Sequence, residues 1–291
     1  MNAQLVKHKL SDYYYKSLFT DADVDIHSVS LVNAVKSIIG IDFDISHDHL
    51  LDYCINYTNS CKSSDAIGVF DEIEIPSAIS FATLEESLLS NDYNKSIKNV
   101  FSLLKVSDGK HILEFLLEFA IKYNSPVYSL VWSVYKMSLF LKHKNINDSI
   151  LFCLKYIANN ESINRVSVNE EKVVDFSKYV YNSKSIKKIL IYQSILNEDL
   201  VRKVNISKYI KINISKGVDF SNNQNQLQVF GDQLKYGRKW ISLYLQKLSK
   251  DKLDVKLIIM LDMFRGALKA SGGSYDKEIW NDLNIYLDKC N

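Results

Sequence analysis

From about Ser77 to Cys290, apolar residues recur at three- and four-residue spacing in short segments, and strand-like alternation is almost absent after Pro76. Serine, asparagine, aspartate and glycine punctuate the segments where helices begin and end. The pattern predicts an all-α fold, an irregular multi-helical array of short antiparallel helix pairs. No fixed repeat period aligns along it, which argues against a true solenoid.

Individual signals set the expected boundaries. Thr83 and Glu86 match a capping box, with that helix ending near Asn91. Tyr93 to Leu104 places Ile97, Val100, Phe101 and Leu104 on one face. Asp108-Gly109 opens His111 to Tyr123, and Ser125-Pro126 opens Pro126 to His143. That last segment is apolar on several sides and is predicted to be the central helix. Asn147 to Ala158 follows it. In the second half Asn169 caps Glu170 to Tyr181, Ser183 caps Lys184 to Leu196, and Asn197 opens a short turn to Val204. Helices return at Gly237 to Ser249, Lys252 to Ala270 and Tyr275 to Lys289. Two stretches stand apart: Ile206 to Ile214, whose β-branched residues conflict with its helical surroundings, and Val218 to Gln228, a polar loop.

The first 75 residues are less regular. Ser28 to Ile38 reads as a helix stopped by Gly40, and Ser46 as the cap of a helix from His47 to Tyr57 that buries Leu50, Leu51, Cys54 and Ile55. Ile41 to Ile45 and Ile67 to Ile75 alternate apolar with acidic residues, so a small β element is expected near residues 41–75. Tyr13-Tyr14-Tyr15 reads as an aromatic patch packing at the start of the domain.

Composition leaves this picture standing and adds a polarity. The chain has 291 residues with the apolar and charged content of an ordinary globular protein. Residues 1–160 carry 19 acidic against 14 basic side chains, residues 161–291 carry 15 against 22, and the net is only +2. An acidic N-terminal region and a basic C-terminal region are therefore expected, as two units or one continuous domain. Cys54, Cys61, Cys153 and Cys290 form no CxxC pair and read as reduced thiols of a cytoplasmic protein. The first residues resemble no secretory signal, and Val127 to Leu141 is too short and too often interrupted to insert in a membrane.

Candidate chemistry is sparse. Asp42, Asp44, His47, Asp48, His49 and Asp52 form the densest set of possible metal ligands, with His47, His49 and Asp52 the candidates. On a helix His47 and His49 point about 200° apart, whereas His49 and Asp52 share a face. The competing explanation is a Ser46 cap with first-turn acids. His111, Glu114 and Glu118 line one helical face, read as solvated because the Glu-x-x-His order of carboxylate-bridged metal sites is reversed. His8, His27 and His143 read as surface residues. Tyr128, Trp132 and Tyr135 could line a pocket. Lys187, Lys188, Lys211, Arg238, Lys239 and Trp240 lie in lysine-rich stretches interleaved with Tyr192, Tyr209 and Tyr236, a pattern able to contact phosphates and bases. Nucleophile elbows, phosphate loops and dinucleotide fingerprints are absent.

The expectation is a non-enzymatic helical scaffold binding another protein, with no cofactor. The alternatives are a helical enzyme with catalytic candidates His49, His111 and Glu114, and a nucleic-acid binder using the basic half.

Overall fold

The first helix starts where Asn2 turns its side chain back on the chain, Oδ1 accepting the backbone N–H of Gln4 at 2.9 Å and of Leu5 at 3.3 Å. The computed structural model describes residues 2–64, 80–160, 186–217, 231–273 and 276–290. Among these residues fourteen α-helices follow one another: α1 Ala3–Leu18, α2 Ser28–Ile39, α3 Asp48–Ser60, α4 Phe81–Leu89, α5 Tyr93–Leu104, α6 Gly109–Lys122, α7 Tyr128–Phe140, α8 Ile146–Ala158, α9 Ile186–Leu196, α10 Lys203–Gly217, α11 Gly231–Tyr236, α12 Lys239–Lys247, α13 Val255–Ser271 and α14 Asp276–Cys290. A 3₁₀ turn at Lys250–Lys252 precedes α13. The protein is all-α and multi-helical.

Side chains from the preceding residue start many of these helices. Ser80, Asp92, Asp108 and Asp254 each accept a backbone N–H from the first turn of α4, α5, α6 and α13. The α4 cap is thus Ser80, one turn before Thr83, whose hydroxyl lies inside the helix and donates to the Ser80 carbonyl at 2.8 Å. Helix α3 starts after His47, and Ser46 instead donates to Asp48 Oδ2 at 2.9 Å. At α2 the cap is His27. Its Nδ1 accepts the Val29 N–H at 3.1 Å, its Nε2 faces the Thr20 carbonyl at 3.4 Å, and Phe152 and Tyr156 meet it edge-on. His27 is fully buried rather than a surface residue.

The small β element forms away from the expected strand. Thr20–Asp21 (β1) pairs antiparallel with Lys62–Ser63 (β2). Ile41 to Ile45 is a turn in which Asp42 Oδ1 accepts the Asp44 N–H at 3.0 Å and Phe43 is exposed, so its acids serve turn geometry. Ile206 to Ile214 lies within helix α10, where Ile206, Ile210 and Ile214 make a four-residue stripe packed on α6. The expected strand Ile67 to Ile75, the helix Glu170 to Tyr181, the Ser183 cap and the loop Val218 to Gln228 lie outside the described residues.

Two helices organise the core. Helix α2 packs on α1, α3, α7 and α13, and α6 packs on α7, α8 and α10. Helix α7 lies between α2, α6 and α8, so it buries side chains around its whole circumference, as its all-round apolar sequence predicts. Each fully buried Leu, Ile or Val in it contributes roughly 2 kcal/mol of transfer free energy. The buried apolar cluster is continuous from Val6 on α1 to Leu287 on α14.

Candidate functional site

Among the described residues, one face of α3 borders an open groove rather than another helix of the core. His49, Asp52, Tyr53, Asn56, Tyr57 and Ser60, spaced three and four apart, line a groove of about 390 Å³ closed on its far side by Lys250 and Leu253. Eleven residue steps along the helix lead from His49 to Ser60, a reach of about 16 Å. The groove is built firmly. His49 Nε2 donates to the Leu245 carbonyl of α12 at 3.2 Å, and Tyr57 donates to the Ile26 carbonyl at 2.7 Å. Burial, with nearby thiol and carboxylate charge, pushes the Tyr57 hydroxyl up to about 12 and raises that of Tyr53, so both stay protonated at neutral pH. Asp52, Asn56 and Ser60 are exposed.

His47 does not join them. It is buried, with Nε2 on the Asp42 carbonyl at 2.8 Å, and burial lowers its pKa. Asp42 in turn takes Lys239 Nζ at 3.1 Å. Among the described residues no three His, Cys, Asp or Glu side chains are grouped to hold a metal ion.

The His111 face is a correction. Glu114 and Glu118 are buried rather than solvated, while His111 sits half-exposed with Nδ1 3.5 Å from Asp108. Glu114 accepts the Tyr135 hydroxyl at 3.2 Å and the Arg202 backbone N–H at 3.0 Å. Glu118 accepts the Arg202 Nε, and the Asn205 amide at 3.3 Å. The Arg202 guanidinium also lies over the Phe81 and Phe115 rings, 5.1 and 5.2 Å from their centroids. These carboxylates clamp the α9–α10 connection onto α6.

The three candidate pocket residues diverge. Tyr135 points to Glu114, Tyr128 packs against the ring of Tyr192 in the core, and Trp132 lines a small crevice between α2, α7, α9 and α13.

The basic candidates are partly engaged. Lys187 pairs with Asp25, Lys188 donates to Asn124 Oδ1 at 2.7 Å, and Lys239 pairs with Asp42. Lys211 and Arg238 are exposed. Trp240 is half-buried, stacking on Tyr244 and meeting Trp280 edge-on, and Tyr192 is fully buried and closed to base stacking. Sequence reasoning missed Tyr53, Asn56, Tyr57, Ser60, Lys250 and Leu253, although the helical spacing from His49 carried the first four.

These elements define an all-α, multi-helical protein. No known protein-family model, curated protein or solved structure matches the chain. Among the described residues no helix is long and apolar enough to cross a membrane.

Proposed function

We propose that this chain is a non-enzymatic helical interaction module that seats a segment of a protein partner in the α3 groove. The observation that carries the reading is the stripe from His49 to Ser60, a helical face that borders a groove among the described residues and presents tyrosine, amide, hydroxyl, imidazole and carboxylate groups together. Tyrosine-rich, mixed-polarity surfaces suit protein recognition, since an aromatic ring buries area at low entropic cost. A reach of about 16 Å also fits about five extended residues of a bound chain. Of the catalytic candidates, Glu114 is consumed by the Tyr135 hydroxyl and the Arg202 backbone and His49 holds the Leu245 carbonyl, which favours binding over catalysis. A cytoplasmic setting belongs to the same proposal and is supported by the free cysteines Cys54, Cys61 and Cys153.

Affinity recovery of partners from host lysate tests the reading with two variants. Asn56→Arg with Ser60→Arg, both exposed positions, fills the groove with charge and is expected to lower recovery of a specific partner about tenfold or more. Lys187→Glu, Lys188→Glu and Lys211→Glu together reverse the basic surface and are expected to leave recovery intact. The opposite ranking moves the contact to the basic surface and overturns the proposal.

A further inference from the structure

The crevice between α2, α7, α9 and α13 shares no lining residue with the α3 groove. It offers about 40 Å³ to water-sized groups, room for about three of them at roughly 10–15 Å³ each. Trp132, Ile191 and Ile259 give it apolar walls. Between them stands a set of hydrogen-bond donors that the fold leaves without acceptors. Ser30 on α2 lines the crevice and is only 7% exposed, yet its hydroxyl makes no hydrogen bond among the described residues. Asn33, equally buried and also in the lining, accepts Lys36 Nζ on Oδ1 at 2.6 Å, so Nδ2 is the end of its amide that has no partner among the described residues. The Ser194 hydroxyl on α9 is in the same position. On α13, Arg265 gives Nε to Asp262 Oδ1 at 2.6 Å, and its two terminal nitrogens make no hydrogen bond among the described residues. Asp262 is the one carboxylate lining the crevice among the described residues, and it is matched to that same guanidinium. Buried donors without acceptors are costly, and here donors outnumber acceptors in a space of fixed, small volume.

We propose that this crevice is a binding site for a small carboxylate of one or two carbons, its oxygens taken by the Arg265 guanidinium, the Ser30 and Ser194 hydroxyls and the Asn33 amide. A carboxylate brings only acceptors, which is the complement of what the walls present. The planar guanidinium matches two carboxylate oxygens at once, and the small polar groups around it fix the orientation. Three or four non-hydrogen atoms fill the available space, so volume excludes longer acids.

The test titrates the full chain with acetate at about pH 7 and constant ionic strength, read by saturation-transfer NMR, with acetamide as the neutral isostere. Acetate is expected to saturate with a Kd of about 1 mM, within the limit set by its four non-hydrogen atoms. Acetamide, which carries two N–H donors into a site already rich in them, is expected to bind about tenfold more weakly. Two variants place the site. A Cβ at Gly266 would lie 3.8 Å from Ser194 Oγ, an ordinary contact, so α13 accommodates Gly266→Ala while the added methyl narrows the crevice; acetate is expected to bind it about tenfold more weakly. Ser30→Ala removes a hydroxyl that has no partner, so it is expected to leave Tm unchanged or raised in the absence of acetate and to weaken acetate about threefold or more. Failure of acetate to saturate the wild type, equal affinity for acetamide, or acetate affinity unchanged in both variants overturns the proposal.

Discussion

His27 shows what a single buried titratable residue does to this fold. Its Nδ1 is the acceptor that caps α2, so a proton there would remove the cap as well as bury a charge. Desolvation, only partly opposed by the Thr20 carbonyl and Asp21, lowers its pKa to about 4. Between about 6.5 and 4 the unfolded chain binds a proton that the folded chain refuses, so stability is complete above that window and falls as pH drops through it. The loss amounts to about 3 kcal/mol at most. Urea unfolding at pH 7 and pH 4.5 should show a steeper loss for the wild type than for His27→Asn, which caps without titrating; equal slopes would count against a neutral His27. Asp282 has the opposite sign. Burial and neighbouring Glu278 raise its carboxyl to about 8, so the folded state keeps a proton the unfolded state has released, and stability falls as pH rises from about 4 to 8. Asp282→Asn should raise Tm at pH 8.5 and leave it nearly unchanged at pH 4.5. The His27 environment was not legible in the sequence, because its burial depends on Phe152 and Tyr156, more than a hundred residues away.

At the scale of elements, the segments with an unbroken apolar stripe were readable. Tyr93 to Leu104 is helical over the expected residues, and Ser28 to Ile39 stops at Gly40 as its sequence suggests. Two helices went unread and a third segment was left open, each for its own reason. Helix α1 is held by Val6, Leu10, Tyr14 and Leu18 at four-residue spacing, a stripe obscured by the flanking tyrosines. Helix α10 is helical despite its β-branched residues because Ile206, Ile210 and Ile214 meet α6. Helix α11 is only six residues long, below the length at which periodicity is informative. Two predictions address contacts between elements. A Cβ at Gly109 would lie 2.7 Å from Ile146 Cδ1 and Cγ1, so Gly109→Ala should cost about 1–3 kcal/mol, outweighing a helix-propensity gain of about 1 kcal/mol. Adding Ile146→Ala should abolish the clash component, seen as non-additive unfolding free energies. Removing one partner of the α6 clamp, by Arg202→Met or Glu118→Gln, should cost about 3 kcal/mol, with the double variant less destabilised than the sum.

Across the whole molecule, the buried cluster links helices from both ends of the chain, and α2 packs directly on α13. A cluster of that extent is expected to melt in one cooperative transition, followed by matching far-UV and tryptophan-fluorescence curves. Two separated transitions would show that the acidic and basic regions fold as separate units. The candidate site was legible only in part. The sequence placed His49 and Asp52 on one face of a helix, and the same spacing extends to Tyr53, Asn56, Tyr57 and Ser60. Lys250 and Leu253 complete the groove from about two hundred residues away, where no local pattern reports their approach. Whether the α3 groove is the contact surface is tested most directly by site-specific photo-crosslinking. With a photoreactive residue in place of Asn56, and a control at exposed Lys211, irradiation in host lysate should give a discrete protein adduct from position 56 and none from position 211. Adducts at position 211 alone, or at neither position, would contradict the assignment of the groove as the partner-binding surface.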